Sequence, residues 1–201
     1  MTMKVQKKVK NAEIKSEPLK EQWQIELVRK LIETRTKEPL RNKIIFNIGI
    51  NNGLRTGDIL NLKIKDVWDK DYAQIIEGKT GKRREIRLNV ANIKDDIKAY
   101  IGNRKWNEDS YLFTSYKNPN KPIETIAIYR MFKRLNKYSG GALPYLTAHS
   151  MRRTFGYWYY KQTKDIVTLM KIFNHSNQSI TLRYIGIERE EIRESLKDFV
   201  L

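Results

Sequence analysis

The chain of 201 residues contains no cysteine and only two histidines. The lack of cysteine excludes disulfide bonds and thiolate metal sites. Two histidines among scattered acidic residues form no recognisable set of metal ligands, so we expect no metal site and no cofactor. The sequence also has no apolar run near the ~18 residues of a membrane span, and its beginning lacks the apolar core of a signal peptide. We therefore expect a cytoplasmic protein without a membrane partner.

Acidic residues are in the minority. The chain has 23 Asp and Glu against 40 Lys and Arg, a formal net charge of +17, while 40% of its residues are hydrophobic. Disordered chains lack that much apolar content, so the sequence predicts one folded domain that is strongly basic. Such a charge favours polyanionic partners. A nucleic-acid-binding protein associated with the nucleoid is the expectation.

The hydrophobic periodicity predicts a mainly α-helical protein with one small antiparallel β-sheet, an α+β fold. Short strands at 72–76 and 85–88 flank a Gly-Lys-Thr-Gly-Lys turn. "YLFTS" (111–115) reads as a short extended piece. The spacing of apolar residues predicts helices on both sides of the hairpin: 21–34, one around 40–48 that stops at Asn51-Asn52-Gly53, a short one capped by Thr56 or Gly57, then 90–102, 124–138, 148–161, 164–173, 178–185 and 188–199.

Composition divides the chain into three parts. Residues 1–19 form a Lys-rich arm that we expect to be mobile, and residues 20–187 form the folded domain. Residues 188–201 form a helical tail with five acidic and three basic residues. Ile192, Leu196 and Phe199 lie on one face of that predicted helix, which could pack on its own domain or on a second protomer.

Six polar residues are candidates for chemistry, although each has a simpler explanation when taken singly. An isolated His-x-x-Arg more often braces a helix start, and a lysine in a hairpin turn is usually solvated. A tyrosine four residues after an isoleucine is commonly part of a core. The six are Arg55, Lys79, His149, Arg152, His175 and Tyr184.

Taken in order, these residues resemble the motifs of the tyrosine recombinase (phage integrase) family. "GLRTGD" is similar to the family's GLRxxE turn and supplies Arg55, with Asp58 at the acidic position. "GKTGKRR" is similar to the family's hairpin motif and supplies Lys79. "HSMRRTF" resembles the HxLRHTF box and supplies His149 and Arg152.

The last motif completes the resemblance. "FNHS" is similar to the family's LGHS and supplies His175, and Tyr184 follows nine residues later, the family's usual gap. Asn174 replaces the family's glycine, and asparagine tolerates positive φ better than most residues. The resemblance covers about residues 20–187 and implies the catalytic-domain fold.

The resemblance implies site-specific DNA recombination through a covalent 3′-phosphotyrosyl link, without metal or ATP. In that scheme Arg55 and Arg152 clamp the phosphate, Tyr184 attacks, His149 accepts a proton, His175 donates a hydrogen bond and Lys79 protonates the leaving oxygen. Double-stranded DNA is the expected partner, with self-association into a dimer or tetramer on synapsed DNA. The four aromatic residues 157–160 are expected to pack in the core.

Two other functions remain compatible with the sequence. A non-catalytic DNA-binding or accessory protein could retain the fold, and a type IB topoisomerase-like enzyme shares the same residue types. Family members usually carry an N-terminal core-binding domain, whereas about 20 Lys-rich residues precede the domain here. That arrangement fits either a fragment or a short member like the fimbrial-switch invertases.

Overall fold

The computed structural model describes residues 16–187, 193–194 and 196–200. Within those ranges no helix is long and apolar enough to cross a membrane. The elements follow in chain order: α1 Gln22–Arg35, α2 Pro39–Asn52, α3 Thr56–Leu60, α4 Ile64–Val67, β1 Tyr72–Ile76, β2 Arg83–Arg87, α5 Ile93–Ile101, α6 Thr125–Tyr138, α7 Ala148–Thr163, α8 Ile166–Phe173 and α9 Gln178–Ile185. The architecture is helical with a two-stranded antiparallel sheet, which confirms the predicted fold class.

Helix α2 is central to the larger of two hydrophobic clusters. Ile44, Ile45, Phe46 and Ile48 are all fully buried, because α1, α5 and α7 pack around this helix. A helix whose middle residues are buried on every side belongs inside a domain rather than at its surface. This packing fixes the end of α2, and Arg55 follows it three residues later.

Gly53 ends α2 in the left-handed conformation, with φ of 61°. A Cβ at this position would lie 2.4 Å from Cδ1 of Phe155, so the space also requires glycine. Glycine adopts positive φ without steric strain and commonly terminates helices in this way. The turn brings α2 against α7, the helix that carries His149 and Arg152.

The hairpin pairs β1 with β2 in antiparallel register, from Tyr72 opposite Arg87 to Ile76 opposite Arg83. Ala73 and Ile75 face inward while their neighbours are exposed, the alternation expected of a strand with one buried face. Residues 77–82 form the connecting turn. This turn is the part of the hairpin that reaches the candidate site.

A second cluster joins α7, α8 and α9. Its buried members are Tyr157, Leu169, Phe173, Ile185 and Ile187, with Trp158, Tyr159 and Tyr160 packed against them. The prediction that the aromatic run 157–160 packs in the core is therefore confirmed. This small core fixes the relative positions of the three helices that carry the C-terminal motif residues.

Several predicted boundaries differ from the structure. Helix α4 was not predicted, because four residues are too short for a periodic signal. Helix α3 has Arg55 at its N-cap, not Thr56 or Gly57. Helix α5 begins later than predicted, after Asn92 in the left-handed conformation. The extended piece 111–115 forms two isolated bridges, from Tyr111 and from Thr114.

The predicted boundary at residue 19 also differs. The backbone N–H of Leu19 donates to Thr154 Oγ1 at 2.9 Å, and Trp158 Nε1 donates to the Leu19 carbonyl at 2.9 Å. Leu19 is buried, so the segment before α1 packs along α7 and belongs to the folded part. Residues 1–15 and half of the predicted helix, 188–192 and 195, lie outside the described residues.

Candidate active site

Arg55 occupies the junction between α2 and α3. Its extended backbone (φ −72°, ψ 145°) turns the chain into α3, and its side chain is one-quarter exposed. Nη1 donates to Oε2 of Glu77 at 2.8 Å. A buried carboxylate therefore orients this arginine while leaving part of it accessible.

Glu77 was not identified from the sequence. It follows β1 at the inward phase of the strand alternation and is only 3% exposed. Its carboxylate also accepts from Thr80 Oγ1 at 2.9 Å and from Arg84 Nη1 at 3.4 Å. Burial raises the pKa of Glu77, but hydrogen bonds from Arg55 and Thr80 and nearby positive charges outweigh it, so the pKa lies below its usual value. The sequence feature that could have identified Glu77 is an acidic residue at an inward-facing position just after a predicted strand.

Asp58 fixes the hairpin turn. Its Oδ1 accepts from the backbone N–H of Gly78 at 2.9 Å, while Oδ2 lies 3.9 Å from Arg55 Nη1. Arg55 thus donates its hydrogen bond to Glu77, while Asp58 forms a longer ion pair with Arg55 and holds the backbone of the hairpin turn.

Lys79 lies at the tip of the hairpin and is exposed. Within the described part of the chain, no hydrogen bond or ion pair joins Lys79 to the other five candidates. Its neighbour Lys82 donates to Oδ1 of Asn174, which ties the turn to the segment before His175. The structure thus places Lys79 on a hairpin that is attached to the site, and its side chain is exposed to solvent.

Arg152 is buried in the first turns of α7, at 4% exposure. Nη1 donates to the carbonyl of Gly53, and Nη2 donates to the carbonyl of Phe173 at 3.1 Å. Its guanidinium also lies 4.4 Å from the centre of the Phe173 ring. Burial lowers the pKa of Arg152 to about 10, so the side chain stays charged at neutral pH. This arginine joins the ends of α2 and α8.

His149 lies at the surface in the first turn of α7. The protein atoms that pack around its ring, together with the charges of Arg153 and Arg152, lower its pKa below the usual value. His149 is therefore neutral at pH 7, the protonation state in which an imidazole can accept a proton.

His175 follows Asn174, which ends α8 in the left-handed conformation with φ of 54°. The predicted tolerance of Asn174 for the position of the family's glycine is confirmed. His175 Nδ1 lies 3.0 Å from Oγ1 of Thr181, whose hydroxyl donates to the carbonyl of Asn177. Because that hydroxyl has its proton engaged, Nδ1–H donates to it and Nε2 faces away. Partial burial and the charges of Arg152 and Arg55 lower the pKa of His175.

Tyr184 lies on α9 among aromatic rings and positive charges. Its ring is 5.3 Å from that of His175 and 5.4 Å from that of Phe173, both edge to face. The guanidinium of Arg153 lies 4.6 Å from the centre of the ring. Burial raises the pKa of Tyr184, while Arg152, Arg153 and Arg55 oppose that rise.

Five of the six candidates therefore share one electrostatic environment. The charges of Arg55 and Arg152 act on His175 and Tyr184, and the charge of Arg152 acts on His149. Lys79 stands apart on the hairpin. Among the described residues, no group of three or more His, Asp or Glu side chains could hold a metal ion.

Comparison with known proteins gives matches over nearly the whole chain. The model of the phage integrase family matches residues 21–191. A probable integrase/recombinase, YoeC of Bacillus subtilis, is 39% identical over 91% of this chain and 96% of that protein. The tyrosine recombinase XerA of Pyrococcus furiosus is 28% identical over 86% of this chain, which spans 59% of XerA.

Solved structures show the same fold. A crystal structure of the XerH site-specific recombinase, bound to a palindromic difH substrate in a post-cleavage complex, matches with a TM-score of 0.69. The match covers 94% of this chain and 54% of that one, at 20% identity. A crystal structure of XerA recombinase also has a TM-score of 0.69, with 91% of this chain and 65% of that one covered at 22% identity. The fold, the family match and the relative that is nearly the same length together show that this chain belongs to the phage integrase family of tyrosine recombinases.

Proposed function

We propose that the protein is a site-specific DNA recombinase that cleaves and rejoins DNA through a covalent link to Tyr184. The observation that carries the proposal is the position of the Tyr184 phenol, half-buried beside His175 and acted on by the charges of Arg152 and Arg55. Among the chain's tyrosines, Tyr184 has this surrounding together with the motif spacing. Residues 20–187 are the proposed catalytic domain.

The cleavage step follows from the side chains present. The Tyr184 oxygen attacks a phosphorus of the DNA backbone, an O–P bond forms, and the bond from phosphorus to the 5′-oxygen breaks. The phenolic proton goes to the neutral ring of His149, and Lys79 gives a proton to the departing 5′-oxygen. The new link conserves the phosphodiester, so resealing by another 5′-hydroxyl requires no ATP.

Two arginines stabilise the charge that builds on the phosphate. A guanidinium is always charged and donates in a plane, which suits nonbridging oxygens. Arg152 is fixed by two backbone carbonyls, and Arg55 by Glu77, so both are ordered before DNA binds. Donors that are already oriented lose little reorganisation energy when the transition state forms.

His175 is proposed to bind a nonbridging oxygen. Its Nε2 faces away from Thr181, and it donates a hydrogen bond only when the ring is protonated. The pKa of His175 is lowered in the DNA-free protein, but a phosphate anion next to the ring favours the imidazolium. The phosphate of bound DNA therefore favours protonation of His175, and the protonated ring can donate a hydrogen bond from Nε2.

A basic groove between α6 and the start of α7 offers a path for the duplex. Tyr129, Lys133 and Lys137 of α6 line it together with Thr147, the N-cap of α7. Lysines and a tyrosine are typical contacts to a phosphate backbone. We propose that double-stranded DNA, as found at the nucleoid in the cytoplasm, lies along this face.

The C-terminal tail is proposed to join protomers on DNA. Leu196, Phe199 and Val200 are 56%, 63% and 87% exposed, so much of this apolar surface is open to contact with another protomer. Ile192, the remaining member of the predicted stripe, lies outside the described residues. Insertion of the tail into a neighbouring protomer would bury this surface and close a dimer or tetramer on synapsed DNA.

The test uses nicked duplexes that tile the DNA flanking the gene. Attack on a nicked strand releases a short product and traps the covalent complex, which survives denaturing electrophoresis. We expect an adduct with the natural protein and none with Tyr184→Phe, which loses one oxygen and keeps the fold. An adduct with Tyr184→Phe would show that the nucleophile is assigned wrongly. If the natural protein binds the duplexes but forms no adduct, it is a non-catalytic DNA-binding protein. If it relaxes supercoiled DNA but does not join strands of two duplexes, it is a topoisomerase.

A further inference from the structure

Arg153 lies over the face of the proposed nucleophile. It follows Arg152 on α7, and its guanidinium carbon is 4.6 Å from the centre of the Tyr184 ring. The aromatic face carries negative potential, so a cation in this position is attracted to the ring. The resemblance to the family assigned no function to Arg153, where many members have a second histidine.

Among the described residues, the Tyr184 ring is the partner that the structure gives to the Arg153 guanidinium. Its Nε is buried and has no hydrogen-bond partner within the described residues. In the part of the chain that the structure describes, no carboxylate forms a salt bridge with Arg153, and its guanidinium contacts the Tyr184 ring. An unpaired buried N–H is unfavourable, so it survives in native proteins where another interaction outweighs it. Here the contact with Tyr184 is that interaction.

We propose that Arg153 is a positioning residue for Tyr184: its guanidinium holds the phenol by the face of the ring and stabilises the oxygen as it becomes negative. This inference rests on the proposed function of Tyr184 as nucleophile. Arg153 and Arg152 approach the ring from α7, His175 from the turn after α8, and Arg55 from the start of α3. Arg153 is the charged group seen stacked on the ring itself.

The direction of the electrostatic effect supports this role. The charge of Arg153 lowers the pKa of Tyr184, against the rise caused by burial. It also lowers the pKa of His149, which favours the neutral ring that accepts the phenolic proton. One guanidinium therefore favours the phenolate and also widens the pH range over which His149 is unprotonated. Removing its charge raises both pKa values, which disfavours the phenolate and protonates His149 at higher pH.

The test compares Arg153→Gln and Arg153→Lys with a matched control. Arg35 of α1 also stacks on a tyrosine, 5.4 Å from the ring centre of Tyr138, and α1 carries none of the six candidate residues. Arg35→Gln thus removes one arginine charge and one cation–π contact elsewhere. Single-turnover cleavage of the nicked duplexes is measured at saturating protein from pH 6 to 9, so that weaker DNA binding does not affect the rate.

We expect Arg153→Gln to cleave about tenfold more slowly at pH 7, since a partly buried cation–π contact is strong enough for about that factor. The acid limb of its pH–rate curve moves to higher pH. Arg153→Lys recovers part of the rate because it restores the charge, and Arg35→Gln behaves as the natural protein. An unchanged rate and pH curve in Arg153→Gln would overturn the proposal, as would equal losses in Arg153→Gln and Arg153→Lys.

A second measurement does not depend on cleavage. The full chain is produced with 3-fluorotyrosine, whose phenol titrates at lower pH than that of tyrosine, and the fluorine signal of Tyr184 is assigned by its loss in Tyr184→Phe. We expect this signal to titrate at higher pH in Arg153→Gln than in the natural sequence or in Arg35→Gln. An identical titration would refute the contact. If no protein cleaves DNA but the titration shifts, the proposed function fails while the contact between Arg153 and Tyr184 stands.

Discussion

Replacing Gly156 by alanine tests whether the close packing of α7 against α8 and α9 positions the site. A Cβ at Gly156 would lie 2.6 Å from Cγ2 of Ile185 and 2.7 Å from Cε2 and Cζ of Phe173. Ile185 and Phe173 are fully buried, so neither side chain can turn into solvent. The substitution therefore forces the helices apart.

The magnitude follows from two opposing effects. Alanine is more favourable than glycine inside a helix by about 1 kcal/mol. Overpacking a core destabilises by about 1–3 kcal/mol, and three overlaps among fully buried atoms place this site near the upper value. The net loss is about 2 kcal/mol. For a chain of this length the melting temperature falls by about 2–4 °C per kcal/mol, which gives about 4–8 °C.

The same displacement reaches the candidate active site. Tyr184 directly precedes Ile185, and the carbonyl of Phe173 accepts from Arg152 at 3.1 Å. Gly156→Ala is therefore expected to slow cleavage even at temperatures where the variant is folded. Thermal unfolding and single-turnover cleavage at 20 °C measure the two effects separately.

Gly57→Ala is the matched control for stability. Gly57 is also helical, and a Cβ there meets no heavy atom within 4 Å, so alanine is expected to be neutral or slightly stabilising. If Gly156→Ala were as stable as Gly57→Ala and cleaved at the natural rate, the argument that this contact positions the site would be refuted.

Four further predictions concern the site, the charge and the tail. Arg55→Ala and Arg152→Ala each slow cleavage by about 10²-fold or more, the effect of losing one transition-state donor, while EDTA has no effect; a rate sensitive to EDTA would contradict the mechanism. With a net charge of +17, the affinity for DNA falls steeply as salt is added. In a plot of log binding constant against log salt concentration, each contacted phosphate contributes about −0.9 to the slope, so a nearly flat plot would exclude an extended row of phosphate contacts. Deleting residues 188–201 spares binding to a single site but abolishes recombination, so a truncated protein that recombines normally would disprove tail exchange. The pKa values of His149 and His175 are lowered in the folded protein, so the unfolded chain binds protons more readily below about pH 6.5. Between pH 7 and pH 5.5 the melting temperature of the natural protein therefore falls by more than that of the double variant His149→Gln/His175→Gln. Equal falls in the two proteins would contradict the pKa shifts.

The local sequence was sufficient for most of the helices and for the hairpin. Apolar spacing predicted α1, α6 and α7 within one or two residues at their starts, because amphipathic periodicity records which face will be buried. The left-handed Asn174 was also readable, since the requirement for positive φ at a helix end is local. The short helix α4 was missed because a single turn has no period.

Motif order alone also assigned the six candidate residues, since residue type and spacing reflect the chemistry at each position. Sequence could not show that Glu77 binds Arg55 or that Arg153 lies over Tyr184. These pairs are 22 and 31 positions apart in the chain. Their contacts depend on how the hairpin and α9 pack against the rest of the fold.

The sequence by itself thus determined the residue types available for phosphate chemistry, the helices that carry them and the strongly basic charge. Only the tertiary structure decided which charged groups meet, because burial and distance set the strength of an electrostatic interaction. It buried Arg152 between two carbonyls, gave Arg55 a carboxylate partner and left Lys79 exposed on its hairpin. Periodicity and motifs carry no information about those distances, since they arise from packing between segments that are remote in the chain.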